Sequence, residues 1–424
     1  MEKHWNNIIL TGLLLLMGSG GPAQSIAVLE LTQCYEMGRE NYPLTRQLEL
    51  IDKASEYSVA NARKAYLPQI HVAGQAGYQS DVTQLPLSLP GQDLPQLSRD
   101  QYRFYTDVSQ SLTDLFTANT QTEYLRTASQ IERQNTESEL YQLKDRINQL
   151  YFGVLLIDEQ LRLNEIISKD IEAGIDQAQI AVTHGVALQS NVDHLKAELL
   201  KVRQQEIELK SARRSYTEML SRFIGKNVNE LTTFIRPDPL SLSAEINRPE
   251  LTFFQLQKKS LILEDKLIEI KNMPRFSLFF QGGTGRPALN MLSNDLQPYF
   301  MTGIRLNWNI AGYYTYKNER NILKIKHQQL DLQEELFLFN TRNSLMQKDQ
   351  ELNKLRELMA QDLEIVNLRG NVKKITQNQL QYGTVTAHDY LQSVNAEYQA
   401  RQNLFLREIQ LLMMQYSFQH TAGF

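Results

Sequence analysis

The chain lays out one plan twice. Pro43 and Pro68 stand 25 residues apart, as do Pro249 and Pro274, and the second pair repeats the first at a shift of 206. An Asn precedes each opening proline by two positions (Asn41-Tyr42-Pro43, Asn247-Arg248-Pro249). Each closing proline ends a helix-like run and starts an alternating one. Further on, His184-Gly185-Val186 and Tyr382-Gly383-Thr384 match at a shift of 198. A period of about 200 is too long for a solenoid unit, so the chain reads as two copies of one supersecondary plan.

Each copy opens with a helical pattern, Leu44 to Tyr66 and Leu251 to Met273. Asn41 is placed to cap the first, and Pro43 suits a first turn, where its missing N–H costs nothing. After Pro68 the period becomes two. Ile70, Val72, Gly74, Ala76 and Tyr78 share one face, and His71, Ala73, Gln75 and Gly77 the other. A Pro- and Leu-rich loop spans Ser80 to Asp100. Phe104, Thr106, Val108 and Leu112 then oppose Arg103, Tyr105, Asp107 and Ser109. In the second copy Phe276, Leu278 and Phe280 alternate with Ser277, Phe279 and Gln281. A loop is expected around Gly282 to Pro298. Ile304, Leu306, Trp308 and Ile310 then oppose Arg305, Asn307 and Asn309. Each copy thus predicts a two-strand hairpin.

A long proline-free helical stretch follows each hairpin, from about Phe116 to Thr183 and from about Tyr313 to Tyr382. Leu140, Leu143, Ile147, Leu150 and Val154 step as a heptad seam. A rod of this length reaches about 100 Å and cannot bury itself in a globular domain. Arg126 to Glu139 holds few apolar residues and predicts a segment wet on both sides. Gly185 and Gly383 suit left-handed positions that end the rods. Ser190 with Asp193, and Thr386 with Asp389, are expected to cap the returning helices, which run to about Phe223 and Ser417.

The formal charge of −4 offers no basic patch for nucleic acid, and a mean hydropathy of −0.41 excludes a polytopic helical membrane protein. Ile8 to Met17 is apolar but too short to span a bilayer as a helix. It follows Lys3 and His4 and precedes Gly18 to Ala23, the order of a secretory signal peptide cleaved after Ala23. On this reading residues 1–23 are the signal peptide and 24–223 the first structural repeat. Residues 224–248 form a linker or equatorial segment, and 249–424 the second repeat. Cys34 is the only cysteine, which excludes an intrachain disulfide and a Cys-based metal site; it reads as a small apolar residue of a packed helix. No cofactor is implied.

Four amphipathic strands cannot close on themselves, and an open sheet would expose two edges and an apolar face. Shared among three subunits they make an antiparallel barrel of twelve strands, each long enough to cross a bilayer when tilted. Phe276, Phe280 and Trp308 would then face lipid, and Arg103, Asp107, Arg305 and Asn307 a water-filled lumen. The alternative is a soluble β-sandwich set in a coiled coil, hence a periplasmic scaffold or adaptor without a barrel.

The segments ARKAYLPQI, NRPEL, THGVALQSNVDHLKAEL and QYGTVTAHDYLQSVNAEYQAR, in this order, resemble the TolC-like outer-membrane efflux proteins. The resemblance implies an α+β membrane protein: a trimeric twelve-stranded β-barrel, four strands per subunit, continuing into a long α-helical coiled-coil tunnel. It further implies a homotrimer in the outer membrane of a Gram-negative bacterium, in contact with outer-membrane lipid and extending into the periplasm. A periplasmic adaptor (membrane fusion protein) and an inner-membrane pump, of resistance-nodulation-division or ABC type, would be its partners. Gly185, Val186 and Leu188, with Gly383, Thr384 and Val385, would be the adaptor-contacting tips. Some members place acidic rings nine and twelve residues before the second tip glycine. Here those positions hold Lys374 and Asn371, and Asp176 lies nine before Gly185. Lys374 and Asp176, from neighbouring helices, are expected to pair across a closed entrance.

Two features mislead. Gly282-Gly283-Thr284-Gly285 looks like a phosphate cradle but opens no helix, so it reads as a surface turn. Asp362 and Glu364 read as solvated charges rather than paired catalytic carboxylates. No catalytic constellation is found, and the chain is not expected to be an enzyme.

Overall fold

A computed structural model describes residues 28–83 and 98–424. Residues 1–23, expected to be a signal peptide, lie outside them, as does most of the loop from Ser80 to Asp100. In chain order the elements are β1 (Val28–Leu29), α1 (Leu31–Asn41), α2 (Thr45–Arg63), β2 (Gln69–Tyr78), β3 (Asp100–Ser111), α3 (Leu112–Tyr141), α4 (Leu143–Thr183), α5 (Gln189–Ile224), β4 (Thr233–Phe234), α6 (Pro249–Lys271), β5 (Arg275–Arg286), β6 (Gln297–Asn307), α7 (Tyr313–Gln381) and α8 (Ala387–Ala422).

The four long strands form one antiparallel sheet in the order β2-β3-β5-β6. Its register sorts the two faces cleanly. Ile70 pairs with Val108, Val108 with Phe280 and Phe280 with Thr302; one residue along, His71, Asp107, Gln281 and Met301 form the next row. Because successive side chains alternate, these rows lie on opposite faces. Ile70, Val72, Phe104, Phe276, Phe280, Ile304 and Leu306 therefore share an exposed apolar face, and Gln75, Arg103, Asp107, Arg305 and Asn307 the other. Strands β2 and β6 are the sheet's two edges.

Two strand boundaries differ from expectation. Gly282 to Gly285 continue β5 instead of turning. The reason is close approach: a Cβ on Gly283 would stand 2.6 Å from Tyr105 Cα and against the Phe104 carbonyl, a tight spot in which glycine serves despite its poor strand propensity. At the other end β6 stops at Asn307, and Ile310 begins a short 3-10 turn. Trp308 lies just past the strand, its indole N–H donating to the Asn272 carbonyl at 3.1 Å.

Beneath the sheet α2, α3, α6 and α7 lie side by side; farther down the order is α5, α4, α8, α7. The unbroken α7 has 69 residues, about 100 Å of helix. The corresponding rod of the first repeat is interrupted at Gln142, whose N–H reaches back three residues to Glu139. At this level α1, β1 and β4 pack on the rods and make a belt. Its core holds Leu29, Cys34, Ile147, Tyr151, Phe152, Val154, Leu220 and Phe234. Cys34 is a buried packing residue, and desolvation pushes its thiol up to about 12. The linker contributes β4, which pairs in parallel with β1. Tyr151 clamps this ladder, its hydroxyl lying between Leu29 O at 2.8 Å and Ile235 O at 2.7 Å, which share its single proton.

Several local expectations fail for tertiary reasons. Asn41 ends α1 rather than capping α2, and its amide points to Arg222 O. The segment from Arg126 to Glu139 is not wet on both sides. It packs between α2 and α6, with Thr127 and Thr136 buried. Thr136 Oγ1 donates to Glu132 O at 3.1 Å, so a threonine can serve as a core residue there. Asp362 is buried and ion-paired to Arg407, not solvated.

Candidate functional site: the helical tips and the polar sheet face

Both rods end in the same backbone motif. Gly185 has φ +74° and Gly383 φ +68°. In the first, the Gly185 N–H donates to Val182 O and the Val186 N–H to Ala181 O; in the second, Gly383 donates to Leu380 O and Thr384 to Gln379 O. This is the Schellman arrangement, which satisfies the last carbonyls of a helix and needs a left-handed residue. The turns leave Val186 and Leu188 74% and 73% exposed. Thr384 is also exposed, whereas Val385 tucks partly against the core above it. Tyr382, which precedes the second tip glycine, is 79% exposed. Thr386 and Asp389 form a reciprocal capping box on α8. Ser190 caps nothing: Leu188 holds the cap position of α5, with no side-chain bond.

Above the tips, α4, α5, α7 and α8 enclose a second core of Ile167, Ile171, Val192, Leu195, Tyr390, Leu391 and Val394. A charge cluster ties these helices. Lys373 on α7 meets Asp170 on α4 at 2.8 Å and Glu397 on α8 at 3.0 Å. Arg401 holds the other Glu397 oxygen at 2.6 Å. Burial opposes ionisation of Glu397, but the hydrogen bonds from Lys373 and Arg401 win and hold its carboxyl below the ordinary value. Tyr390 donates to Asp170 O at 2.9 Å, and Gly174 makes room for its ring.

Lys374 and Asp176 are exposed, and among the described residues they make no ion pair within the protomer; Asn371 is exposed as well. Within the protomer the acid that is ion-paired near the tips on α4 is Asp170, and its partner is Lys373. One sequence signal for the cluster was the four-residue spacing of Glu397 and Arg401.

On the polar sheet face Arg305 approaches Asp107 at 3.6 Å and lies over the Phe279 ring at 4.6 Å. Arg103 and Asn307 share this face without an ion pair among the described residues. Phe276 and Phe280 stand on the opposite face, where Phe280 stacks on Phe300. No helix among the described residues is long and apolar enough to cross a membrane, and no cluster of three or more His, Cys, Asp or Glu is placed to hold a metal ion.

Residues 35–226 match the family described as outer membrane efflux protein. No curated protein matches the chain by sequence. By fold it is similar to CusC, at 13% identity and a TM-score of 0.71, over 93% of this chain and 92% of that one. It is likewise similar to the outer membrane protein VceC from Vibrio cholerae, at 12% identity and a TM-score of 0.69, over 93% and 96%. The open state of the Neisseria gonorrhoeae MtrE outer membrane channel matches at 15% identity and a TM-score of 0.67, over 93% and 89%. The chain thus resembles the outer membrane efflux proteins in sequence over residues 35–226 and shares the fold of these solved structures along nearly all of its length.

Proposed function

We propose that this chain is the outer-membrane exit duct of a tripartite efflux or type I secretion system, a homotrimer that conducts cargo passively from a periplasmic adaptor and an inner-membrane pump. The observation that carries this reading is that every layer of the protomer is left open at the same two edges. The sheet ends in β2 and β6. Below it the outer helices are α2 and α7, and lower still α5 and α7. These helices expose apolar residues seven apart: Ile325, Leu332, Phe339 and Met346 on α7, Leu50 and Tyr57 on α2, Leu200 and Ile207 on α5. A heptad stripe facing water calls for a partner helix. A head-to-tail ring joins the β6/α7 edge of one copy to the β2/α2/α5 edge of the next, so strands and helices close together.

Closure turns the apolar face to lipid and encloses Arg103, Asp107, Arg305 and Asn307, and it satisfies every edge backbone group, as hydrocarbon demands. Aromatic residues near the strand ends, Tyr78 and Tyr102 at one rim and Trp308 and Tyr313 at the other, suit the two interfaces. The rods then extend about 100 Å into the periplasm, with Gly185, Val186, Leu188, Gly383, Thr384 and Val385 at the adaptor end. Opening requires the hairpin ends to splay, against the Lys373 cluster. Lys374 and Asp176 are left to meet between subunits.

The test is to purify the chain from outer membranes and record from planar bilayers. A heat-modifiable trimer that conducts, and a Thr384→Cys variant that cross-links to a co-expressed adaptor, are expected. A soluble monomer without conductance overturns the duct and favours the scaffold reading.

A further inference from the structure

The loop between β5 and β6 does not simply cap the sheet. Gly285 pairs with Arg103 and Gln297, so its side-chain direction is that of the polar face. A Cβ placed there would stand 3.0 Å from the Pro287 carbonyl and 3.4 Å from Ala288 Cα. The chain therefore folds back over the polar face as soon as β5 ends, and Gly285 is buried beneath it. Pro287 also closes a cavity of about 300 Å³ with Gln75, Gly77, Gln101 and Arg103, which all belong to that face. The Ser98 N–H donates to Asn294 Oδ1 at 2.6 Å and anchors the far side of the loop to the start of β3. Between these two moorings the loop presents Leu289, Met291 and Leu292, all at least half exposed.

We infer that three copies of this loop meet at the outer mouth of the barrel and form an apolar constriction, a second closure at the opposite end of the duct from the tips. The inference rests on the trimeric barrel proposed above. The dimensions permit it. Strands about 4.8 Å apart and tilted about 40° give a twelve-stranded barrel a backbone radius of about 12 Å. The ten residues from 287 to 296 lie between strands, and such a loop, leaving and returning, reaches about 15 Å. Its occupants are the other two copies: exposed apolar side chains on a loop that starts over the polar face find no lipid there and bury only against one another. A ring of such residues excludes water and ions from a narrow pore. Cargo with an apolar surface passes by replacing the contacts among the loops, whereas small hydrophilic solutes outside the cell are held out.

The experiment reads the outer mouth alone, since closure at the tips would mask any change in conductance. Gln281→Cys, on the polar face below the loop, is labelled on intact cells by a membrane-impermeant maleimide; Cys34 is buried and does not compete. Combining it with Leu289→Ser, Met291→Ser and Leu292→Ser is expected to speed labelling about tenfold. Separately, Met291→Cys is expected to give disulfide-linked subunits on mild oxidation. Equal labelling rates with and without the serines, and no cross-linked subunits in a heat-modifiable trimer, overturn the constriction and point to loops lying outward on lipid. Failure of the barrel reading is distinct, because no heat-modifiable trimer forms at all.

Discussion

The two cores along the rods are built differently. The belt buries large side chains: Tyr151 and Phe152 are among its fully enclosed residues, and a two-stranded ladder crosses it. The core above the tips is held together across its helices by an ion cluster in which the partly exposed Lys373, Asp170 and Arg401 gather around the buried Glu397. Burying apolar area stabilises without regard to direction, at about 25 cal/mol per Å². A buried ion cluster adds little net stability, yet it costs much to disrupt and holds only in one geometry. The lesson is that the belt is held by area, which prefers no geometry, and the tip core by contacts that hold in only one; under the proposed duct the second is the end that must rearrange.

The sharpest way to break this contrast is Phe152→Ala. It should cost about 3–5 kcal/mol and lower trimer yield and melting temperature; a loss confined to tip dynamics would reverse the assignment. Next, Glu397→Gln strands Lys373 beside a single carboxylate and should cost about 3 kcal/mol. Hydrogen exchange should then quicken in α4 and α8 near the tips while the belt keeps its protection. Gly383→Ala places a side chain at φ +68° and should cost about 1–2 kcal/mol, read as fraying of the last turn of α7. Thr386→Ala removes a capping box and should cost about 1 kcal/mol, whereas Ser190→Ala at the matching position should be silent. The gentlest test is pH. His420 on α8 stacks on Tyr141, where α3 meets α4 at the level of the belt, and burial, the leading cause, depresses its pKa below 6.5. The unfolded chain therefore binds that proton first, and stability contributed at the belt is full above pH 6.5 and declines as pH falls through the folded value. Glu397 is depressed below 4.5, so its contribution persists until pH falls below that. Between these values thermal melts should soften the belt and spare the tips.

Much of this could be read from local pattern. Alternation over Ile70–Tyr78 and Phe276–Phe280 placed side chains on the correct faces, because a period of two needs no partner to be seen. The tip glycines were legible because a helix end with Gly and a following turn is a local event. Where reading failed, the cause was a partner remote in sequence. Gly282–Gly285 looks like a turn until β3 is beside it, and Asp362 looks solvated until Arg407 arrives from α8. Thr127 and Thr136 look polar until α2 and α6 cover them.

By itself, then, the sequence determined the duplication, the kinds of element, their order, the two-faced strands and the motif that ends each rod. These depend on dihedral preference and periodicity within a few residues. Tertiary structure alone decided that β3 lies beside β5, that β1 and β4 pair in parallel across the linker, that Lys373 meets both Asp170 and Glu397, and that the loop after Arg286 turns over the polar face. Each of these joins residues far apart in the chain. The entropy of closing such long loops is recovered only through the assembled contacts, which no local window contains.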